Sequence, residues 1–130
     1  MHVYRATITG ITDGDTFDAE VDVGFYHWTR QRFRLLGYNA PETRGDERPL
    51  GEKAKLQLNF TLMGRAVILR SHRGDAFGRW LADVALDTEP GQDLVERLIR
   101  EGWGVRWDGK GERPRFDPAL PYPLVPKTAS

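Results

Sequence analysis

The sequence predicts an α+β fold that is mainly β: a five-stranded Greek-key barrel carrying two helices and ending in an extended, proline-rich tail. Three observations predict it. Apolar and polar residues alternate with a period of two through the first third of the chain. Two later stretches carry apolar residues at helical spacing and end at glycine. Five of the eight prolines, at 114, 118, 121, 123 and 126, crowd the C-terminal segment.

The elements follow in order. "VYRATIT" reads as a first strand, and Asp13-Gly14 supplies the dipeptide favoured in tight hairpin turns, so the second strand is expected antiparallel beside it. From Thr16 to Val23 the alternation is strict, with Phe17, Ala19, Val21 and Val23 on one face and Thr16, Asp18, Glu20 and Asp22 on the other. "RQRFRLLGY" puts Phe33 and Leu35 on one side of a third strand and Arg32, Arg34 and Leu36 on the other, stopping near Gly37 and Pro41. Ala54, Leu58 and Leu62 recur at helical spacing in "LGEKAKLQLNFTLMG", which Gly64 ends. "RAVILRS" and "RWLADVAL" are two more strands, joined by "HRGDAFG". A second helix fits "QDLVERLIREG", with Leu94, Val95, Leu98 and Ile99 as its apolar stripe. Three strands, a helix, two strands and a helix is the order of an OB-fold barrel, which exposes a face suited to nucleic acids and sugars. From Asp108 the prolines permit neither helix nor central strand, so the tail is expected to run extended over the body, pinned by Phe116 and Tyr122.

Composition limits the function. One domain is the default for 130 residues. The absence of cysteine excludes disulfides, a thiolate metal site and a cysteine nucleophile. No apolar run approaches the roughly 20 residues that span a bilayer, so no membrane partner is expected. No signal peptide is visible at the N-terminus, which favours a cytoplasmic location. A monomer is the default. Net charge is zero, so no global positive field announces a nucleic-acid partner. The cations are mostly arginine, with lysine only at 53, 55, 110 and 127; arginine grips phosphate bidentately, although coding bias gives the same count.

Four places carry candidate chemistry: Asp15 heading the second strand, Arg34 in the third, the "NAPE" exit from it, and Arg79 opening the last. Singly, each has an ordinary structural explanation as a turn, a surface ion pair or a loop exit. Together, a carboxylate, two arginines and a glutamate at strand ends suit one mouth of a barrel. Metal-assisted phosphodiester hydrolysis needs that set: hard oxygens for a cation, positive groups for the phosphate, and a carboxylate to take a proton from water.

The motifs "ITDGDTF", "FRLLGYNAPE", "GEKAK", "DAFGRWLADV" and "LVERLIREGWG" resemble, in order and over roughly residues 3 to 107, the staphylococcal nuclease (thermonuclease-like, SNase-like) family, in particular its compact bacterial and phage-type members. The resemblance implies a nuclease domain over 1–107 with the proline-rich tail, 108–130, packed on it. It implies Asp15 as a calcium ligand, Arg34 as a contact to the scissile phosphate, Glu42 as general base or water-positioning group, and Arg79 as the arginine that stabilises charge on the phosphoryl oxygens. The family's second metal-binding aspartate is here Asn39, whose amide oxygen ligates without charge; Ala40 follows as a backbone-carbonyl ligand. The implied cofactor is Ca²⁺, other divalent ions being possible, with no small-molecule cofactor. Asp13 or Asp18 could compensate for the charge lost at Asn39.

His2, His27 and His72 show no paired ligand spacing and are read as surface residues. Trp103, Trp107 and Tyr122 are candidates for stacking on a base, with packing under the barrel favoured for Trp103. "DGKGER" (108–113) suits either a phosphate contact or a turn. Two function classes stay open: a metal-dependent endonuclease acting on DNA, and on RNA as a further substrate, with low sequence specificity; or a catalytically silent nucleic-acid or protein-binding module on the same barrel. Asn39 and the zero net charge point to the second.

Overall fold

A computed structural model describes residues 2–74 and 78–124, the side chains at 73 and 74 excepted. The order is β1 (His2–Asp13), β2 (Thr16–Gly24), β3 (His27–Leu35), β4 (Tyr38–Asn39), a 3-10 turn (Gly45–Glu47), α1 (Arg48–Leu62), β5 (Ala66–Gly74), β6 (Trp80–Leu86), α2 (Leu94–Arg100) and β7 (Val105–Arg106). Five strands close into a barrel in the order β1-β2-β3-β6-β5, and β5 pairs back onto β1. Every neighbouring pair is antiparallel except β3–β6, where Phe33, Arg34 and Leu35 lie beside Trp80, Leu81 and Ala82 in parallel. This is the expected OB-type barrel.

β1 makes the closure possible. Its N-terminal half, His2–Thr7, pairs with β5, and Ala6–Asp13 pairs with β2, with register irregularities at Ile8/Gly10 and Ile11/Asp13. Such irregularities bend a strand and increase its twist, which lets one strand belong to two walls. Inward residues fill the barrel: Phe17 and Phe33 stack with ring centres 5.6 Å apart, beside buried Ala19, Val21 and Leu35. Ala54, Leu58 and Leu62 of α1 and Leu94, Val95 and Leu98 of α2 join the same core. Gly64 and Gly102, both at positive φ, follow the two helices.

Some expectations are corrected. Val23 is 46% exposed, because β2 runs beyond the barrel into a hairpin whose two-residue loop is Phe25-Tyr26. α1 begins at Arg48 rather than Leu50; Pro49 sits in its first turn, where a missing N–H is tolerated. α2 is confined to 94–100, and Ile99 is only partly buried. The paired strands β4 and β7, Tyr38 beside Arg106 and Asn39 beside Val105, were not expected, since two residues carry no readable period.

The proline-rich segment runs without helix or strand through 124. Phe116 is buried, and Tyr122 donates its hydroxyl hydrogen to the Trp103 carbonyl (2.7 Å) while the two rings meet edge-on. Pro126, and Asp75, Ala76 and Phe77 of the "DAFG" motif, lie outside the described residues. Among the described residues no helix is long and apolar enough to cross a membrane.

Candidate active site

The β1–β2 hairpin brings the first acid into place. Asp13 pairs with Thr16, so the loop residues are Gly14 and Asp15. Gly14 supplies space: a Cβ there would lie 2.6 Å from the Ala54 Cβ and 3.0 Å from that of Ala40, so only glycine lets the turn press between α1 and the loop after β4. The turn is thereby fixed against both. Asp15 accepts hydrogen bonds from the Thr16 hydroxyl (2.9 Å) and, more weakly, the Ala40 N–H (3.4 Å).

Arg34 lies beside Thr16 across the β2–β3 ladder, which places its guanidinium next to Asp15. Its Nη2 sits 3.3 Å from the Tyr38 carbonyl, 3.5 Å from Asn39 Oδ1 and 3.7 Å from Asp15 Oδ2. Three oxygens therefore converge on one cationic nitrogen. The guanidinium also lies 5.2 Å from the centre of the Trp107 ring. Burial is the largest influence on Asp15 and raises its pKa; the Arg34 charge and the bonds from Thr16 and Ala40 oppose that without cancelling it. The ionised carboxylate is thus short of compensating charge.

β4 and its exit carry the next group. Asn39 is buried; its amide oxygen faces Arg34 and its Nδ2 donates to the Pro114 carbonyl (3.1 Å). Buried Pro41 leads to Glu42, whose side chain is 45% exposed. A Cβ at Gly51 of α1 would collide with the Glu42 carbonyl oxygen, so helix and loop backbone meet without an intervening side chain. Arg79 stands just before β6, whose first residue, Trp80, lies beside Phe33.

All six sequence-derived candidates, Asp15, Arg34, Asn39, Ala40, Glu42 and Arg79, line one cleft of about 600 Å³. Asp13 lines it too, accepting from the Thr43 hydroxyl at 2.7 Å. Asp18 is instead paired with Arg32 (2.9 Å) and does not line the cleft. Of the histidines, His72 lies 3.2 Å from Asp83, while His2 and His27 are exposed. Trp107 borders the cleft, and the "DGKGER" segment begins as the expected turn and ends at the cleft. Its start is a turn, with Lys110 N–H donating to Asp108 and the Trp107 indole to the Lys110 carbonyl; its end, Arg113, lines the cleft.

Two residues central to the geometry were not singled out in sequence. Glu47, 4% exposed, accepts two bonds from Arg113 (2.6 and 3.1 Å), one from the Glu42 N–H (3.0 Å) and one from the Phe116 N–H (3.3 Å). Burial opposes ionisation of Glu47, but these bonds and the Arg113 charge outweigh it and hold the carboxyl at about 2. Arg113 also donates to the Ala40 carbonyl (3.2 Å) and faces Glu42 Oε1 at 3.6 Å.

The donor set fits a hard cation. Asp15 offers a carboxylate short of compensating charge, and Asn39 an amide oxygen turned toward the same positive nitrogen. Ala40 adds a backbone carbonyl. These are the oxygen types that Ca²⁺ takes. Only one formal negative charge belongs to the set, and among the described residues no group of three or more His, Asp or Glu side chains gathers as a metal cage.

The profile of the family described as "Staphylococcal nuclease homologue" matches residues 32–117, so the match runs past Trp107 and includes Arg113. The chain is also similar to a protein of Capnoides sempervirens described as an uncharacterized 38.1 kDa protein, at 25% identity over 87 residues, which is 67% of this chain and 24% of that protein. It spans about a quarter of that relative's length.

Proposed function

Because the chain belongs to the staphylococcal nuclease homologue family, we propose that it is a divalent-metal-dependent endonuclease, with Ca²⁺ as its ion, that hydrolyses DNA, and RNA as a further substrate, with low sequence specificity. The observation that carries this reading is the meeting of Asp15, Arg34, Asn39, Ala40, Glu42 and Arg79 in one cleft. Their chemistry divides between holding a cation, clamping a phosphate and activating water.

Asp15, Asn39 and the Ala40 carbonyl would hold the ion, which when bound supplies positive charge to a phosphoryl oxygen and lowers the pKa of coordinated water. Arg34 turns from its carbonyl and amide partners to the phosphate, whose oxygens are stronger acceptors for a guanidinium. Arg79 binds from the β6 side and stabilises the charge that builds on the phosphoryl oxygens. Glu42, the more exposed carboxylate, takes a proton as water attacks phosphorus. One P–O bond forms, the bond to the leaving 5′ oxygen breaks, that oxygen takes a proton from solvent to become a hydroxyl while Glu42 returns its proton to solvent, and a 3′-phosphate end remains.

The test is cleavage of single-stranded DNA, duplex DNA and RNA in Ca²⁺, Mg²⁺, Mn²⁺ and EDTA, with a Glu42→Gln variant alongside. Cleavage that needs metal and falls at least 100-fold in the variant is expected. Salt-dependent binding with intact substrate in every metal would overturn the reading in favour of a silent binding module.

A further inference from the structure

We propose that Arg113, delivered by the C-terminal segment, is a positioning residue for Glu42, aiming its carboxylate while locked by buried Glu47. The inference rests on the reading of Glu42 as the group that takes the proton. Three neighbouring groups of the cleft are touched by this segment, two by residue 113 and one by residue 114. Arg113 bonds the Ala40 carbonyl and faces the Glu42 carboxylate, and the Pro114 carbonyl accepts from Asn39. Phe116, buried two residues on, anchors the segment that carries them.

Glu42 is held from two sides by its backbone and from a third by charge. Its N–H is bound to Glu47 and its carbonyl packs on Gly51, so what remains free is the side chain. A glutamate that is 45% exposed keeps several rotamers, and holding it in one costs side-chain entropy. Arg113 meets this cost with a charge that is itself immobile, because both its terminal nitrogens are committed to Glu47. The planar fork serves Glu47, the Ala40 carbonyl and Glu42 together from fixed positions, whereas a lysine is one point charge on a flexible stem. A water aimed by a carboxylate in one rotamer attacks along one line, which is how orientation enters the rate.

The test uses the full chain with Arg113→Met, Arg113→Lys, Glu42→Gln and the double variant Glu42→Gln/Arg113→Met. Expected is a kcat at least tenfold lower for Arg113→Met with KM within twofold, incomplete rescue by Arg113→Lys, and a double variant no slower than Glu42→Gln alone. Losses that multiply, or a raised KM at unchanged kcat as for a phosphate-binding cation, would overturn the proposal. A second readout needs neither metal nor activity: amide hydrogen exchange at Glu42. The Glu42 N–H donates to the Glu47 carboxylate that Arg113 locks, so Arg113→Met should speed exchange there at least tenfold while protection in β5 is unchanged; wild-type protection at Glu42 would show that Arg113 and Glu47 do not form one lock and would sink the proposal. If Glu42→Gln keeps wild-type rates, the reading of Glu42 fails, and the exchange measurement still decides whether Arg113 orders that loop.

Discussion

Replacing Glu47 by glutamine perturbs one buried carboxylate and leaves its shape. In the folded protein its carboxyl is held at about 2, against 4.5 when unfolded, by Arg113 and two backbone N–H donors that outweigh burial. Each tenfold in a protonation equilibrium is about 1.4 kcal/mol. The ionised form therefore contributes about 3 kcal/mol at neutral pH, and Glu47→Gln should lose that amount. A folded pKa below the unfolded one means the contribution is fully present above about 4.5 and disappears as pH falls through about 2. At pH 3 the difference between the two proteins should shrink to about 1.4 kcal/mol. Urea unfolding followed by tryptophan fluorescence at pH 7, 5 and 3 measures it. A difference below 1 kcal/mol at pH 7, or one that does not change between pH 7 and pH 3, would refute the argument that this pairing holds the C-terminal segment onto the barrel.

Other outcomes follow from the same geometry. Asp15→Asn removes a buried charge whose pKa burial raises, so without metal the variant should be the more stable of the two at pH 7, and millimolar Ca²⁺ should raise the melting temperature of the wild type only; a destabilised variant would contradict this. Asn39→Asp adds a second charge and should tighten Ca²⁺ binding by calorimetry, although it replaces the donor to the Pro114 carbonyl with an acceptor; equal affinities would remove Asn39 from the metal shell. Phe25 and Tyr26 hold φ of 56° and 60° at 94% and 92% exposure, so Phe25→Asn with Tyr26→Gly relieves a left-handed conformation without losing buried area. A gain of about 1 kcal/mol in urea unfolding is expected, and a loss would mean that the rings stabilise the hairpin.

What could be read in the sequence was whatever repeats or sits beside its own neighbours. Alternation placed the buried residues of β2 and β3 as far as Val21 and failed at Val23, because a period cannot show where a strand leaves its barrel. Helical spacing found the buried stripes of α1 and α2, and the family motifs gathered six residues that the structure puts around one cleft. Glu47 escaped because it stands in the polar run "TRGDERP", where a carboxylate reads as solvated, and its partner Arg113 is 66 residues away. No local pattern encodes such a pair; the available signal was the arginine in "DGKGER" followed by an anchoring Pro and Phe.

Asn39 shows how the two kinds of information combine. In sequence it is a lost charge, a reason to expect weak metal binding or a silent site. In the structure its amide does what a carboxylate cannot: the oxygen faces Arg34 while the nitrogen donates to the Pro114 carbonyl, one residue from Arg113. Aspartate there would set two acceptors against each other. The asparagine thus carries no charge for an ion but makes a bond that seats the segment bearing Arg113 against Glu42 and Ala40. If the proposed metal reading holds, Asn39 ties the strength of Ca²⁺ binding to the seating of the C-terminal segment, and Asn39→Asp should move both: tighter Ca²⁺ binding together with faster amide exchange at Phe116.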